Sequence, residues 1–176
     1  MKQFKFKPRF PASKIRQYAD NYSYSQSDED VINSAAEIRQ RGYLTKPELQ
    51  LIAAWKTPRS KPRIAENPED YIKEVTKIAL STDNDRLRIE ILTLLRGVSW
   101  PTASTILHFY HKDRFPLLDF RALYSLSCEH IESTDYNYEF WRDYTNYVRD
   151  LSDKTKLDMR TVDRALWQFS KNKNKL

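Results

Sequence analysis

The residues best suited to chemistry lie between positions 94 and 127, which read LLRGVSWPTASTILHFYHKDRFPLLDFRALYSLS. Gly97 tolerates a positive φ, and Pro101 suits a helix start because its missing N–H would have no partner there. We therefore predict a helical hairpin in which one helix ends at Gly97 and the next begins at Pro101, with a very short turn. The backbone N–H groups of Gly97 to Ser99 would point outward and bind a phosphate oxygen. An ordinary connection without a ligand is the alternative interpretation.

Asp119 is the second candidate in this segment. It follows Pro116, Leu117 and Leu118 and precedes Phe120, so the carboxylate stands between apolar neighbours at a predicted helix start. Such a position is typical of an N-cap, whose side chain accepts a backbone hydrogen bond. Arg121, two residues later, would either bind phosphate or form a surface ion pair with Asp119, and the ion pair is the favoured interpretation.

The pattern LxGVxxxTAxxIL, followed by an apolar stretch and LLDFR, resembles the helix-hairpin-helix and Gly-Pro-Asp signature of base-excision DNA glycosylases. In this resemblance Gly97 and Val98 match the hairpin. Thr102 and Ala103 match the start of its second helix, and Asp119 falls at the catalytic aspartate without a gap. The matched segment covers roughly a fifth of the chain.

The resemblance implies a monofunctional DNA glycosylase that flips out a damaged or modified base and releases it by hydrolysis, without a cofactor. Breaking an N-glycosidic bond develops positive charge on the sugar, which a carboxylate beneath the ring stabilises while it positions the attacking water. Asp119 would be that carboxylate. The residues expected to contact double-stranded DNA are Gly97, Val98, Ser99, Thr102 and Arg121.

Two positions depart from the family pattern. Ser99 stands where the family has its second hairpin glycine, which requires that this residue need no glycine-like φ. Pro101 stands where bifunctional members carry a Schiff-base lysine, and proline has no amine. A lyase mechanism through residue 101 is therefore excluded.

A glycosylase also needs an aromatic pocket for the flipped base. The candidates lie in or near the recognisable segments and are Trp55, Trp100, Tyr124 and Trp167. Ordinary helix packing is the alternative for each of them, because aromatic side chains dominate protein cores.

The elements that carry these residues are expected to be helices. Only two glycines occur, and apolar residues recur at helical spacing, so we predict an all-α fold that contains a helix-hairpin-helix. The predicted helices include Asp28 to Arg41, closed by Gly42, a helix opened by Thr45 and Glu48 that runs to about Lys56, and one from Asn67 to Leu80. We predict a single domain over residues 1–176, with a basic segment at 1–20 and a frayed tail at 171–176.

The charge pattern suits a polyanion. The chain has 30 Lys and Arg against 24 Asp and Glu, and the segments 1–19 and 56–63 each contain basic residues and no acidic residue. Such blocks hold phosphates or simply form a solvated surface.

Other classes of protein are disfavoured. Cys128 is the single cysteine, which excludes an internal disulfide and a four-thiolate metal site. His108 and His111 are three residues apart but have no third ligand, so we expect them to face solvent or phosphate, with no metal bound. No run of about 18 apolar residues is present. We expect a soluble, cytoplasmic monomer that does not bind membranes and that is associated with the nucleoid in a bacterium.

Two alternatives to the enzyme remain at the level of sequence. One is a noncatalytic DNA-binding protein that uses the hairpin for phosphate contact. The other is an all-helical interaction module whose aromatic-rich segment from Tyr136 to Tyr147 docks a protein partner.

Overall fold

The computed structural model describes residues 4–128 and 136–173, and it confirms the all-α prediction, since no strand occurs among these residues. Short 3-10 turns lie at Ala12–Lys14 and Pro58–Ser60. No helix in the described ranges is long and apolar enough to cross a membrane. The α-helices are α1 (Ile15–Asp20), α2 (Gln26–Arg41), α3 (Lys46–Lys56), α4 (Lys61–Ala65), α5 (Glu69–Ser81), α6 (Asp85–Leu92), α7 (Trp100–Tyr110), α8 (Phe120–Ser125), α9 (Tyr138–Thr155) and α10 (Met159–Lys173).

The chain divides into two compact units. Unit 1 consists of Met1–Ser23 and Arg114–Leu176, and unit 2 consists of Tyr24–Asp113. Each unit has its own buried apolar side chains. The interpretation of residues 1–176 as one domain stays a prediction. Residues 171–173, expected to fray, belong to α10, and 174–176 lie outside the described residues.

Unit 2 contains α2 to α7, and its helix boundaries follow from capping. The predicted capping box of α3 is present, with the Thr45 N–H donating to the Glu48 carboxylate over 2.7 Å. Helix α2 ends at Gly42 as predicted, where φ is +81°, but it begins two residues earlier than expected because Ser25 and Asp28 form another capping box. Eight of the eleven residues of α7 are buried, and this helix packs against α2, α3 and α6.

Unit 1 is organised around α10, which packs against α1, α8 and α9. Residues 4–11, called here the N-terminal strap, precede α1. The backbone N–H groups of Lys7 and Arg9 donate to the carbonyls of Leu126 and Ser125, both over 2.9 Å. The strap is thereby fixed to the C-terminal end of α8.

Candidate active site

The connection between α6 and α7 is longer than the sequence predicted. Helix α6 ends at Leu92, not at Gly97, and residues 93–99 join it to α7. The N–H groups of Thr93, Leu94 and Leu95 donate to carbonyls three residues back, over 3.0 to 3.2 Å. These tighter bonds end the α-helical ladder before the glycine is reached, so the predicted helix end was wrong by five residues.

Gly97 is required by both its backbone angle and its surroundings. Its φ is +81°, and a Cβ at this position would lie 2.8 Å from Ile64 Cγ1 and 3.1 Å from the Ile64 backbone nitrogen. The buried amide of Asn67 fixes the same region, because it donates to the carbonyls of Ile64 and Arg96 and accepts the Arg96 N–H over 2.8 Å. The helix predicted from Asn67 therefore begins later, since α5 starts at Glu69 and Pro68 is its N-cap.

Ser99 adopts an extended conformation with φ −104°, so serine replaces glycine there without strain. The Val98 N–H donates to the Leu95 carbonyl over 3.0 Å. Within the described residues, no hydrogen bond uses the N–H groups of Gly97, Ser99 or Trp100. The donors left for an anion are therefore these three groups, at the N-terminus of an eleven-residue helix.

A buried threonine and two exposed arginines lie around this turn. Thr102 is fully buried, and its hydroxyl oxygen lies 3.4 Å from that of Thr57. Arg63, whose Cβ would lie 3.2 Å from a Cβ at position 97, is exposed. Arg96 is mainly exposed and pairs with Glu66 over 2.6 Å. The turn is thus bordered by cations on its solvent side.

Asp119 is the N-cap of α8, as its neighbours indicated. It is half-buried, and its carboxylate accepts the Arg121 N–H over 2.8 Å. The preceding residues from Phe115 to Leu118 are buried. A capped helix start after a buried segment holds the carboxylate in one orientation while part of it remains accessible.

The segment before Asp119 is fixed by two side chains that the sequence analysis did not single out. The Tyr144 hydroxyl donates to the Leu117 carbonyl over 2.6 Å, and the Leu117 N–H donates to the Asp163 carboxylate over 3.3 Å. Burial, together with the nearby Asp163 and Asp119 carboxylates, raises the pKa of Tyr144 well above its usual value, so the hydroxyl keeps its proton. In the sequence, Asp163 stands out because it is a carboxylate within the apolar stripe of α10. The structure buries it, at 4% exposure, and a buried carboxylate requires hydrogen-bond partners.

The two residues that follow Asp119 belong to an aromatic and cationic surface, which consists of Phe120, Arg121, Trp167 and Lys171. Phe120 is 66% exposed. The Arg121 guanidinium lies 5.1 Å from the ring centre of Phe120 and 5.4 Å from that of Trp167, and Lys171 lies 5.0 Å from Trp167. The expected ion pair between Arg121 and Asp119 is therefore wrong, since the guanidinium stacks on rings instead. Arg121 Nη1 is buried and has no hydrogen-bond partner among the described residues.

The remaining pocket candidates divide between the units. Tyr124 lies in unit 1 on α8, and the Arg9 guanidinium stacks over its ring at 4.5 Å. Trp55 lies in unit 2, where its indole N–H donates to Asp28 over 3.2 Å and its ring packs edge-on against Phe109. Trp100, also in unit 2, is half-buried at the start of α7. Of the four candidates, Tyr124 and Trp167 share a unit with Asp119.

The expectation for His111 was wrong. Its side chain is buried, at 3% exposure, and Nδ1 accepts the Asp113 N–H over 2.9 Å. Burial and the neighbouring Arg88 guanidinium lower the pKa of His111 to about 4, so the ring is neutral at pH 7. Among residues 4–128 and 136–173, no group of three or more His, Cys, Asp or Glu side chains is placed to hold a metal ion.

Compared with known proteins, the chain matches no family model, no curated protein and no solved structure. The geometry of the site and the chemistry of its residues are therefore the basis for a functional proposal.

Proposed function

We propose that this protein is a monofunctional DNA glycosylase that releases a damaged or modified base by hydrolysis and leaves an abasic site. Asp119 is the catalytic carboxylate in this proposal. The observation that carries it is the half-buried, N-capping position of Asp119, which is followed by exposed Phe120 and by Arg121, whose guanidinium stacks on half-buried Trp167. The enzyme acts as a monomer on double-stranded DNA in the cytoplasm, on the nucleoid if the cell is bacterial.

The roles of the neighbouring residues follow from their chemistry. A carboxylate with fixed orientation stabilises the cationic sugar and orients water. Phe120, which is 66% exposed, offers a ring face on which a flipped base stacks, and Trp167 borders this position through Arg121. Arg121 Nη1, a buried donor with no partner in the described part of the chain, supplies a hydrogen bond to an acceptor on the nucleotide.

The turn before α7 supplies phosphate contacts in the same proposal. The N–H groups of Gly97, Ser99 and Trp100 bind a phosphate oxygen, and Arg63 adds charge beside them. These contacts read no base, so they support binding along any sequence. Pro101 has no amine, so the product is an intact abasic site that is cleaved only by alkali or an added endonuclease.

The test is a base-release screen on duplexes that carry different modified bases, with mass spectrometry of the released base. On a processed substrate, Asp119→Asn lowers single-turnover release by about 10³-fold, because asparagine still caps the helix but lacks the charge. Asp158→Asn is the matched control, since Asp158 also caps a helix of unit 1, accepting the Thr161 N–H over 2.9 Å. It should release base at the wild-type rate.

Two results would separate the alternatives. If Asp119→Asn keeps the wild-type rate, Asp119 is only a cap and the catalytic assignment is wrong. If no duplex releases a base but the wild-type protein binds DNA, the chain is a noncatalytic DNA-binding protein. The docking alternative is less favoured by the packing, since Phe140, Trp141 and Tyr144 are buried within unit 1.

A further inference from the structure

The N-terminal strap alternates apolar and cationic residues. Phe4, Phe6 and Phe10 face the protein, whereas Lys5, Lys7 and Arg9 are exposed. Alternation with a period of two is typical of an extended chain, in which successive side chains point to opposite faces. One face of the strap therefore packs on unit 1, and the other presents a row of positive charges.

The inward face is held by rings. The ring centre of Phe4 lies 4.8 Å from that of Phe140, Phe6 lies 5.9 Å from Tyr144, and Phe10 lies 4.7 Å from Phe169. Together with the two backbone hydrogen bonds from Lys7 and Arg9 to α8, these contacts fix the register of the strap. A slip by one residue would exchange the buried and exposed faces.

Two lysines of the outward face, Lys5 and Lys7, have no acidic partner in the described part of the chain. Lys5 and Lys7 form no ion pair or side-chain hydrogen bond within residues 4–128 and 136–173. Side chains two residues apart on an extended chain are separated by about 6.6 Å. This spacing is comparable to the distance between neighbouring phosphates along one nucleic acid strand.

The strap is connected to the helix that begins at Asp119. Arg9 Nε donates to the Tyr124 carbonyl over 2.6 Å, and its guanidinium stacks on the Tyr124 ring. Helix α8 thus carries Asp119 at its N-terminus and holds the strap at its C-terminus.

We propose that the N-terminal strap is a phosphate-binding surface of unit 1, on which Lys5 and Lys7 contact successive phosphates of one DNA strand. This inference rests on the proposed function for the identity of the nucleic acid. It adds a contact surface that lies in the same unit as Asp119. The contact is electrostatic, so it strengthens binding without selecting a base.

The test measures the affinity of the full chain for an unmodified duplex by fluorescence anisotropy over a range of salt concentrations. The double variant Lys5→Gln/Lys7→Gln should lower the slope of log affinity against log salt by about 1.8, since each phosphate contact contributes about 0.9. The matched control is Lys77→Gln/Lys154→Gln, which removes the same charge from exposed positions on α5 and α9. It should leave the slope within about 0.3 of the wild-type value.

A third variant tests charge directly, because Lys5→Arg/Lys7→Arg keeps both cations and should keep the slope. Equal losses of slope in both glutamine variants would overturn the proposal, as they would reflect net charge alone. So would unchanged DNA binding by Lys5→Gln/Lys7→Gln together with loss of binding to phosphatidylserine vesicles, which would make the strap a membrane contact. Circular dichroism verifies that each variant is folded.

The two proposals fail separately. Base release by Lys77→Gln/Lys154→Gln should equal that of the wild type, since both lysines lie outside the strap and the proposed site. If the wild-type protein releases no base, the salt slopes still test the strap. If Lys5→Gln/Lys7→Gln leaves the salt slope unchanged, the strap proposal fails, but the test of Asp119 by base release from Asp119→Asn still stands.

Discussion

At the scale of single residues, the position of Asp119 depends on a peptide group two residues earlier. Both polar atoms of the Leu117 backbone are held by buried side chains, its N–H by Asp163 and its carbonyl by Tyr144. Loss of either hydrogen bond in this buried segment destabilises the fold, because water does not replace it. Asp163 and Tyr144 are therefore positioning residues for the proposed carboxylate.

Substitutions of Asp163 test whether it affects base release as well as the stability of the fold. Asp163→Ala leaves the buried Leu117 N–H without this acceptor, and we expect the free energy of unfolding to fall by about 2 kcal/mol. Single-turnover base release should fall as well. Asp163→Asn keeps an acceptor oxygen and should restore most of both quantities. Chemical denaturation measures the free energy of unfolding, and product formation measures base release. Equal defects in Asp163→Ala and Asp163→Asn would contradict a positioning role for Asp163.

His111 makes stability depend on pH. Its pKa is lowered from 6.5 to about 4, so between these values the unfolded chain binds a proton that the folded chain does not. The free energy of unfolding should therefore fall as the pH is lowered from 6.5 to 4, by up to about 3 kcal/mol. Above pH 6.5 this contribution is fully present.

The check is a set of denaturation curves between pH 4 and pH 7. His111→Asn keeps an acceptor for the Asp113 N–H but cannot titrate, so its stability should change less over this range. The ring is surrounded by the charges of Arg88, Lys112, Asp85 and Asp113, which remain in the variant. An identical pH dependence in both proteins would show that another group is responsible.

At the scale of elements, the sequence was informative where a signal is local. The capping box that starts α3 and the glycine that ends α2 are contained within a few consecutive residues, and both predictions were confirmed. The end of α6 could not be predicted from the sequence. It depends on hydrogen bonds from backbone N–H groups to carbonyls three residues earlier, which replace the α-helical bonds to carbonyls four residues earlier. The start of α5 was predicted at Asn67 for a similar reason. The side chain of Asn67 bonds instead to the backbone of Arg96, which is 29 positions away in the sequence.

The two glycines provide a matched comparison. Both have φ +81°, but only Gly97 would bring a Cβ against Ile64, whereas nothing lies within 4 Å of one at Gly42. Gly42→Ala should cost about 1 kcal/mol, from backbone strain alone. Gly97→Ala should cost at least about 2 kcal/mol, because the clash with Ile64 Cγ1 and the close approach to the Ile64 backbone nitrogen add to the strain.

Thermal unfolding of both variants measures this difference. Gly97→Ala should also weaken DNA binding, because relief of the clash displaces the turn that presents its N–H groups. Gly42→Ala should bind DNA as the wild type does. Equal destabilisation by both substitutions would mean that Ile64 moves aside freely.

At the scale of the whole molecule, the division of the chain into two units was not foreseen. Helical periodicity identifies buried faces but not their partners, so the packing of residues 4–11 on α9 and α10 could not be read from the pattern. The basic character of residues 1–19 was visible, whereas the register that exposes Lys5 and Lys7 depends on rings more than 130 positions away.

Electrostatic binding is expected of the molecule as a whole. The chain carries a net charge of +6 and its proposed contacts are to phosphates, so affinity for a duplex should fall steeply between low and physiological salt. Modified and unmodified duplexes should show similar slopes, because base recognition adds no phosphate contact. Affinity that is unchanged by salt would contradict this prediction.

The strap also has a consequence for the order of folding. Arg9 meets Tyr124 across 115 positions, and unit 2 lies within this loop along the chain. Closing a loop of this length costs about 4 kcal/mol of chain entropy before its contacts form. The partners of the strap lie on α8 to α10, which are synthesised last, so we expect the strap to dock late, after the rate-limiting barrier. Phe10→Ala should therefore accelerate unfolding in stopped-flow experiments and leave the refolding rate nearly unchanged.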